Sequence, residues 1–393
     1  MSGIFRLTWR YLTYHRMRTA ILVVCLALTF ILPVFLHMLI QTYESSLTER
    51  ARATPFILGP RGNQFELVLR SLYFTKSERG ETALNMADHA TAVAQNRGRV
   101  IPLHLGYTAQ DYPVVGTSLE YFAFRGLTTT DGTLPLMLGD AAVGANVAKA
   151  LDLAAGDSLL TDQTSLYNIA AEQPLKLRVT GVLEHQDSPD DHAIFVDVKS
   201  AWVVAGIGHG HDDLNDPTNQ SVLLGKDTDG TVMGSAAVAK FREITPQNIA
   251  SFHFHGDPKA LPLASLIIAP ASDRSRTQLK GHYALSKTTQ LLEPIGVVND
   301  LLAIVFQVKR FFNASFGLVL LMTTLFLILV VMLTLKLRSR ERETLWRMGC
   351  GRWTTFSMQA CELLLLVAVG LGLATVGALV LVQFTERLLR IGA

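Results

Sequence analysis

Residues 139–160, GDAAVGANVAKALDLAAGDSLL, and residues 175–204, LKLRVTGVLEHQDSPDDHAIFVDVKSAWVV, decide the fold class. GANVAKALDL (144–153) has the spacing of a short helix, and AAGD (154–157) is the turn that stops it. LKLRVTGVLEH (175–185) and HAIFVDV (192–198) are short β-rich runs, and both read as strands. Strands alternating with short helices predict a mixed α/β domain. The Gly/Asp-rich stretches GHGHDDLNDPTNQ (208–220) and GKDTDGT (225–231) read as loops. No internal repeat or low-complexity tract interrupts this pattern.

Outward from that run, the chain becomes much more apolar. Of its 393 residues 49% are hydrophobic and 17% charged, too apolar for an ordinary soluble protein and too polar for spans throughout. A net charge of +2 gives no general attraction to nucleic acid. The three cysteines, Cys25, Cys350 and Cys361, lie in or beside apolar stretches, so no disulfide framework supports the middle of the chain.

Three stretches are long enough to cross a bilayer core, which takes roughly 20 apolar residues. They are Ala20–Ile40 (AILVVCLALTFILPVFLHMLI), about Phe316–Leu335, and about Cys361–Phe384. Pro33 is expected to kink the first. In the third, Gly370, Ala374 and Ala378 recur every four residues, a small-residue stripe that lets another helix approach closely. The first is expected to be a retained anchor, because its core is long for a signal peptide and the small-x-small triplet Ala51-Arg52-Ala53 lies well beyond it.

Arginine and lysine set the expected orientation. Arg6, Arg10, Arg16 and Arg18 precede the first span, while Lys336, Arg338, Arg340, Arg342, Arg347 and Arg352 follow the second. Both flanks read as cytoplasmic. The division expected is therefore residues 1–41 as an amphipathic helix with the first span, 42–312 as an outside domain, and 313–393 as two further spans. Apolar residues at Ile295, Val298, Leu302, Val305 and Phe306 have a helical period, and QTYESSLTERARA (41–53) is helix-compatible. Both spans are expected to continue outward as a helical stalk.

Between the second and third spans lies SRERETLWRMGCGRW (339–353), within an expected short helix over 338–352. Glu341, Leu345 and Met348 share one face, Trp346 and Arg347 lie beside it, and Gly349 and Gly351 suit a helix stop. A helix this short does not fold alone. Pinned between spans and showing Leu, Trp and Met to the cytoplasm, it reads as a segment that docks into a partner's groove.

The plan of one span, a large outside domain and a span–short helix–span unit resembles the MacB/FtsX/LolC-type ABC transporter permeases. RERETLWRMGCGRW (340–353) is similar to that family's coupling segment, and LTWRYLTYHRMRTAILVV (7–24) to its basic amphipathic helix entering the first span. The run from Gly139 to Val204 resembles the family's periplasmic core, with helix, GD turn, VTGVL strand and an apolar strand leading to a helix. The resemblance implies a multi-pass permease subunit of the bacterial inner membrane, its N-terminus cytoplasmic and its large domain periplasmic. It implies no catalytic residues: ATP and Mg²⁺ are handled by a separate cytoplasmic ABC ATPase. That ATPase would grip Arg340, Glu341, Thr344, Leu345, Trp346, Arg347, Met348 and Gly349, and its closure would drive the outer domain by mechanotransmission. The sequence agrees in lacking a GxxxxGK[ST] phosphate loop; Gly225-Lys226 is followed by Asp227. A homo- or heterodimer of permease subunits, a periplasmic partner and membrane lipid are the further partners implied. The family usually has four spans and this sequence has three, so it is either a three-span variant or lacks the fourth.

Six histidines crowd part of the outside domain: His185, His192, His209, His211, His253 and His255. With Asp190, Asp191, Asp212, Asp213 and Asp257 nearby in sequence, they offer the ligand types that Zn²⁺ or a similar ion takes. An extended SFHFHGD (251–257) would put His253 and His255 on one face. GIGHG (206–210) lacks the third glycine and the helix of a dinucleotide turn, and no GxSxG or HExxH motif occurs. Three readings stay open. They are a permease subunit with a link to zinc handling, a membrane scaffold regulating a periplasmic enzyme or binding protein without transport, and a membrane-anchored periplasmic metal-binding protein.

Overall fold

A computed structural model of the chain describes residues 2–75, 84–162, 174–211, 223–226, 232–234, 241–254, 256–337, 347, 349 and 351–392. The chain divides into two compact units, Thr48–Leu301 and a helical one of Met1–Leu47 with Leu302–Ala393.

The strands in chain order are β1 Phe56–Pro60, β2 Leu84–Asn85, β3 Gly98–Ala109, β4 Tyr112–Thr117, β5 Thr129–Gly132, β6 Asp140–Val143, β7 Ser158–Leu160 and β8 Lys176–Leu183. Then follow β9 Ile194–Asp197, β10 Gly208–Gly210, β11 Leu223–Lys226, β12 Val232–Gly234, β13 Phe252–Phe254, β14 Pro262–Leu263, β15 Ser265–Pro270 and β16 Thr289–Leu292. The helices of four or more turns or of use below are α1 Ser2–Tyr14, α2 Arg16–Arg52, α3 Gln64–Tyr73, α4 Met86–Ala94, α5 Leu119–Arg125, α6 Ala145–Leu151 and α7 Val198–Val204. Three more complete the series: α8 Asp273–Ala284, α9 Pro294–Leu337 and α10 Arg352–Gly392.

Ten strands form one mixed sheet in the order β16-β1-β15-β3-β4-β9-β6-β8-β5, with β7 beside β5 on the same edge of β8. Only β4–β9 and β6–β8 run parallel. The expectation of a mixed α/β domain holds. Its cause is visible in β8, where Leu177, Val179, Gly181 and Leu183 are buried and the residues between them are half-buried, the period-two pattern of LKLRVTGVLEH. Leu177, Val179, Ile194 and Val196 meet Val147 and Ala148 of α6 and Ala201 of α7 in one apolar cluster. GANVAKALDL gives α6, ended by Asp152 in the left-handed region at φ 52°. The AAGD turn then closes by Asp157 accepting from the Ala154 amide at 2.8 Å.

Two loop expectations fail in part. Gly208–Gly210 is not a loop but strand β10, paired antiparallel with β13, and Gly225-Lys226 ends strand β11, paired antiparallel with β12. A Cβ on Gly208 would come within 2.6 Å of the Phe254 ring, and one on Gly210 within 2.6 Å of the Phe252 ring. These glycines make room for facing aromatic rings, a role that composition alone does not distinguish from a turn.

In the helical unit, α2 and α10 hold the stretches long and apolar enough to cross a bilayer, Arg16–Leu39 and Phe356–Thr385, with mean hydropathies of 2.7 and 2.6. Pro33 lies inside α2, which continues past it to Arg52. The described residues thus give two such helices rather than the three expected. The second expected span falls in α9, whose apolar stretches Pro294–Ala303 and Ala314–Phe326 are each too short alone. A Cβ on Gly370 would sit 2.9 Å from that of Leu26, Ala374 and Ala378 are fully buried, and Gly377 faces Ile31 in the same way. Leu12 of α1 joins Val23, Leu26 and Leu366 in a small cluster, while Phe5 and Trp9 stack at 6.5 Å on an exposed face.

Candidate metal centre

The β10–β13 ribbon puts two residue types on two faces. Pairing sets His209 directly opposite His253, with Gly208 opposite Phe254 and Gly210 opposite Phe252. Because side chains alternate along a strand, the phenylalanines take one face and the histidines the other. Phe252 and Phe254 pack on the apolar cluster of α6, α7 and β8, and Phe254 meets the Trp202 ring edge-on at 5.9 Å. Trp202 is fixed in turn by its indole N–H donating to the Pro262 carbonyl at 2.8 Å. The ribbon is therefore anchored through its aromatic face.

His211 follows β10 and completes a trio. Ring centroids are 4.9 Å apart for His209–His253, 5.0 Å for His211–His253 and 5.7 Å for His209–His211. One ring nitrogen from each lies within 4.8 Å of the others, and all three residues are half-buried. His253 Nδ1 lies 3.0 Å from the Ser251 carbonyl oxygen. A carbonyl only accepts, so Nδ1 carries the proton and the neutral ring keeps its lone pair on Nε2.

His185 and His192 lie apart from this trio. His185 has its ring nitrogens 3.1 Å from Asp187 and 3.0 Å from Asp191. His192 Nε2 is 2.8 Å from the Asn146 side-chain nitrogen. His255, Asp212 and Asp213 lie outside the described residues, so the expected His253/His255 pair does too. Asp191 accepts from the Gln186 and Ser188 amides at 3.0 Å each, and Asp257 accepts from the Lys259 amide at 2.9 Å. These two carboxylates shape turns.

Of the docking segment, Arg340, Glu341, Thr344, Leu345, Trp346 and Met348 lie outside the described residues. Arg347 and Gly349 are exposed, and Gly349 takes φ 89°, a conformation that favours glycine.

Sequence reasoning missed a buried ionic centre. Arg50, in the last turn of α2, forms a two-pronged pair with Asp190 at 2.7 and 2.9 Å. It also donates to the Tyr121 hydroxyl at 3.0 Å and, through Nε, to the Leu72 carbonyl at 2.5 Å near the C-terminus of α3. Tyr121 donates to Asp190 at 2.7 Å. Burial disfavours the charge on Asp190, but Arg50 outweighs it and holds the carboxyl below its ordinary pKa. Burial, reinforced by Asp190, pushes the Tyr121 hydroxyl up to about 12. Since Arg50 and Asp190 are 140 residues apart, no local motif announces the pair.

No family model matches the chain, and no curated protein matches it. Similar solved structures include the periplasmic region of MacB from Actinobacillus actinomycetemcomitans, at 13% identity and TM-score 0.36, covering 64% of this chain and 96% of that one. The extracellular domain of the noncanonic ABC-type transporter YknZ from Gram-positive bacteria is similar at 10% identity and TM-score 0.30, covering 56% and 97%. A domain of a putative permease protein from Porphyromonas gingivalis is similar at 7% identity and TM-score 0.26, covering 61% and 86%.

Proposed function

We propose that the chain is a permease subunit of the MacB/FtsX type, in which ATP hydrolysis by a separate cytoplasmic ATPase moves an outer α/β domain. The observation that carries this reading is the order of parts. A mixed α/β unit, Thr48–Leu301, is bounded by α2 and α9, helices of 37 and 44 residues that contain or adjoin apolar stretches. A helix transmits displacement at 1.5 Å per residue without a hinge, so both suit the stalk role. The segment between α9 and α10 is the docking element, and the basic residues around it and before α2 support a cytoplasmic position for it and for the N-terminus. The Thr48–Leu301 unit then faces the periplasm, the exposed apolar faces of α2 and α10 meet lipid, and two permease subunits pair as a homo- or heterodimer. The histidines of the outer unit link the subunit to zinc handling.

The docking role is tested by isolating the tagged full chain from its native membranes and measuring the ATPase that comes with it. Leu345→Asp and Met348→Asp each put a charge into an apolar contact. Loss of such an anchor costs about 2 kcal/mol or more, roughly thirtyfold in affinity. Recovery of the ATPase is expected to collapse in either variant, and unchanged recovery in both refutes docking through this segment. The same result separates the permease from a membrane-anchored metal-binding protein, which needs no ATPase.

A further inference from the structure

The structure assigns a three-histidine site for a Zn²⁺-class ion, formed by His209, His211 and His253 on the outward face of the β10–β13 ribbon. It deepens the zinc-handling part of the proposed function and is independent of the docking part.

Three features carry the site. The first is convergence: three imidazoles reach one point from two strands and the residue after one of them, with a nitrogen of each inside a 4.8 Å set. A four-coordinate Zn²⁺ with Zn–N bonds of about 2.0–2.1 Å needs its nitrogens roughly 3.4 Å apart, so the three rings draw somewhat closer together when the ion binds. The second is orientation. The Ser251 carbonyl takes the Nδ1 proton of His253 and fixes the tautomer, the usual way an outer group prepares a ligating histidine. The third is support. The ribbon's Phe face is packed on the domain core, so the histidine face is held by elements that do not depend on the ion.

The donor set selects the metal class. Imidazole suits Zn²⁺, Ni²⁺ and Cu²⁺, whereas Cu⁺ prefers sulfur, and the outer unit contains no cysteine. All three rings are half-buried, so a bound ion stays within reach of solvent. Such a site loads and releases its ion without unfolding the domain, which suits a place where metal is received or passed on.

The test uses the full chain, carrying a tag without histidine, in detergent micelles. Co²⁺ is titrated as an optical probe and Zn²⁺ by competition with a chromophoric chelator. One equivalent of Co²⁺ is expected to give the visible absorption of a low-coordinate nitrogen site, and one equivalent of Zn²⁺ to displace it. Changes to outer groups already weaken metal sites by about 10–100-fold, so loss of a ligand in His253→Ala or His211→Gln is expected to cost about a hundredfold or more. His185→Ala, at the Asp187/Asp191 cluster, is expected to bind as the parent does. His211→Gln lies beyond the β10 pairing and keeps the test valid should His253→Ala fold poorly. Unaltered binding in both variants overturns the site, as does loss in His185→Ala alone. Metal that excess EDTA fails to strip, or strips only with unfolding, overturns the exchangeable character. Neither result bears on ATPase recovery, so the two readings fail separately.

Discussion

Asp190→Ala is expected to destabilise the Thr48–Leu301 unit by about 3–5 kcal/mol, a large part of the stability of an ordinary domain. The cost arises from what the substitution strands. Arg50 keeps its bonds to Leu72 and Tyr121 but loses both carboxylate contacts while only 8% exposed, leaving a charge in a dry site. Tyr121, fully buried, loses the acceptor of its hydroxyl proton. Arg50→Met strands Asp190 in the opposite sense and should cost a similar amount. The double variant should cost much less than the sum, since neither charge is then left unpaired. Urea-dependent pulse proteolysis of the solubilised chain measures all three. Additive losses, or a cost below about 1 kcal/mol for either single change, would show that the pair is not the clamp described here. Arg50 belongs to the last turn of α2, and Asp190 to the turn between β8 and β9, so the pair ties that turn of the helix to the sheet's own loop. Under the proposed function, displacement carried by α2 enters the α/β unit there.

What the sequence makes legible follows from the range of the interactions involved. β8 was readable because one buried face imposes a two-residue period on neighbouring letters, β9 because a short run of apolar and β-branched residues is buried on both faces, and α6 because its stop lies within five residues of its end. The sheet order was not, since β1 lies between β15 and β16, partners more than two hundred residues away, and nothing local encodes that pairing. The same limit hid Arg50 and Asp190, which composition offered as a stalk residue and a metal ligand. For the histidines, residue type was legible and grouping was not. His253 faces His209 from across the ribbon, a pairing that no spacing along the chain encodes. Reading GHGH as a loop concealed that strand, because glycine marks a turn and a close ring contact with the same letter.

A second large effect is expected from acid. His104, in the middle of β3, is only 7% exposed, and burial, aided by the Arg70 guanidinium, lowers its pKa to about 4. In the unfolded chain the same ring titrates near 6.5. Between pH 6.5 and 4 the unfolded state therefore binds the extra proton, so stability falls as pH falls through this window and levels off below it. Those two pKa values place the loss from this one ring at about 2 kcal/mol by pH 5 and about 3 kcal/mol in full. His89, half-buried and also lowered, chiefly by burial, acts in the same direction. Asp190 acts in the other pH range. Its depressed pKa contributes stability above the ordinary carboxylate value that is lost only as pH falls through the folded value, below the His104 window. His104→Phe tests the assignment, since a neutral ring replaces a titrating one that stacks on Tyr107 at 5.8 Å. Urea unfolding of parent and variant at pH 7.5 and pH 5 should give a smaller pH-dependent loss in the variant, by about 2 kcal/mol. Equal losses would mean that the buried imidazole accepts its proton without penalty, and that the interior around β3 is wetter than its packing indicates.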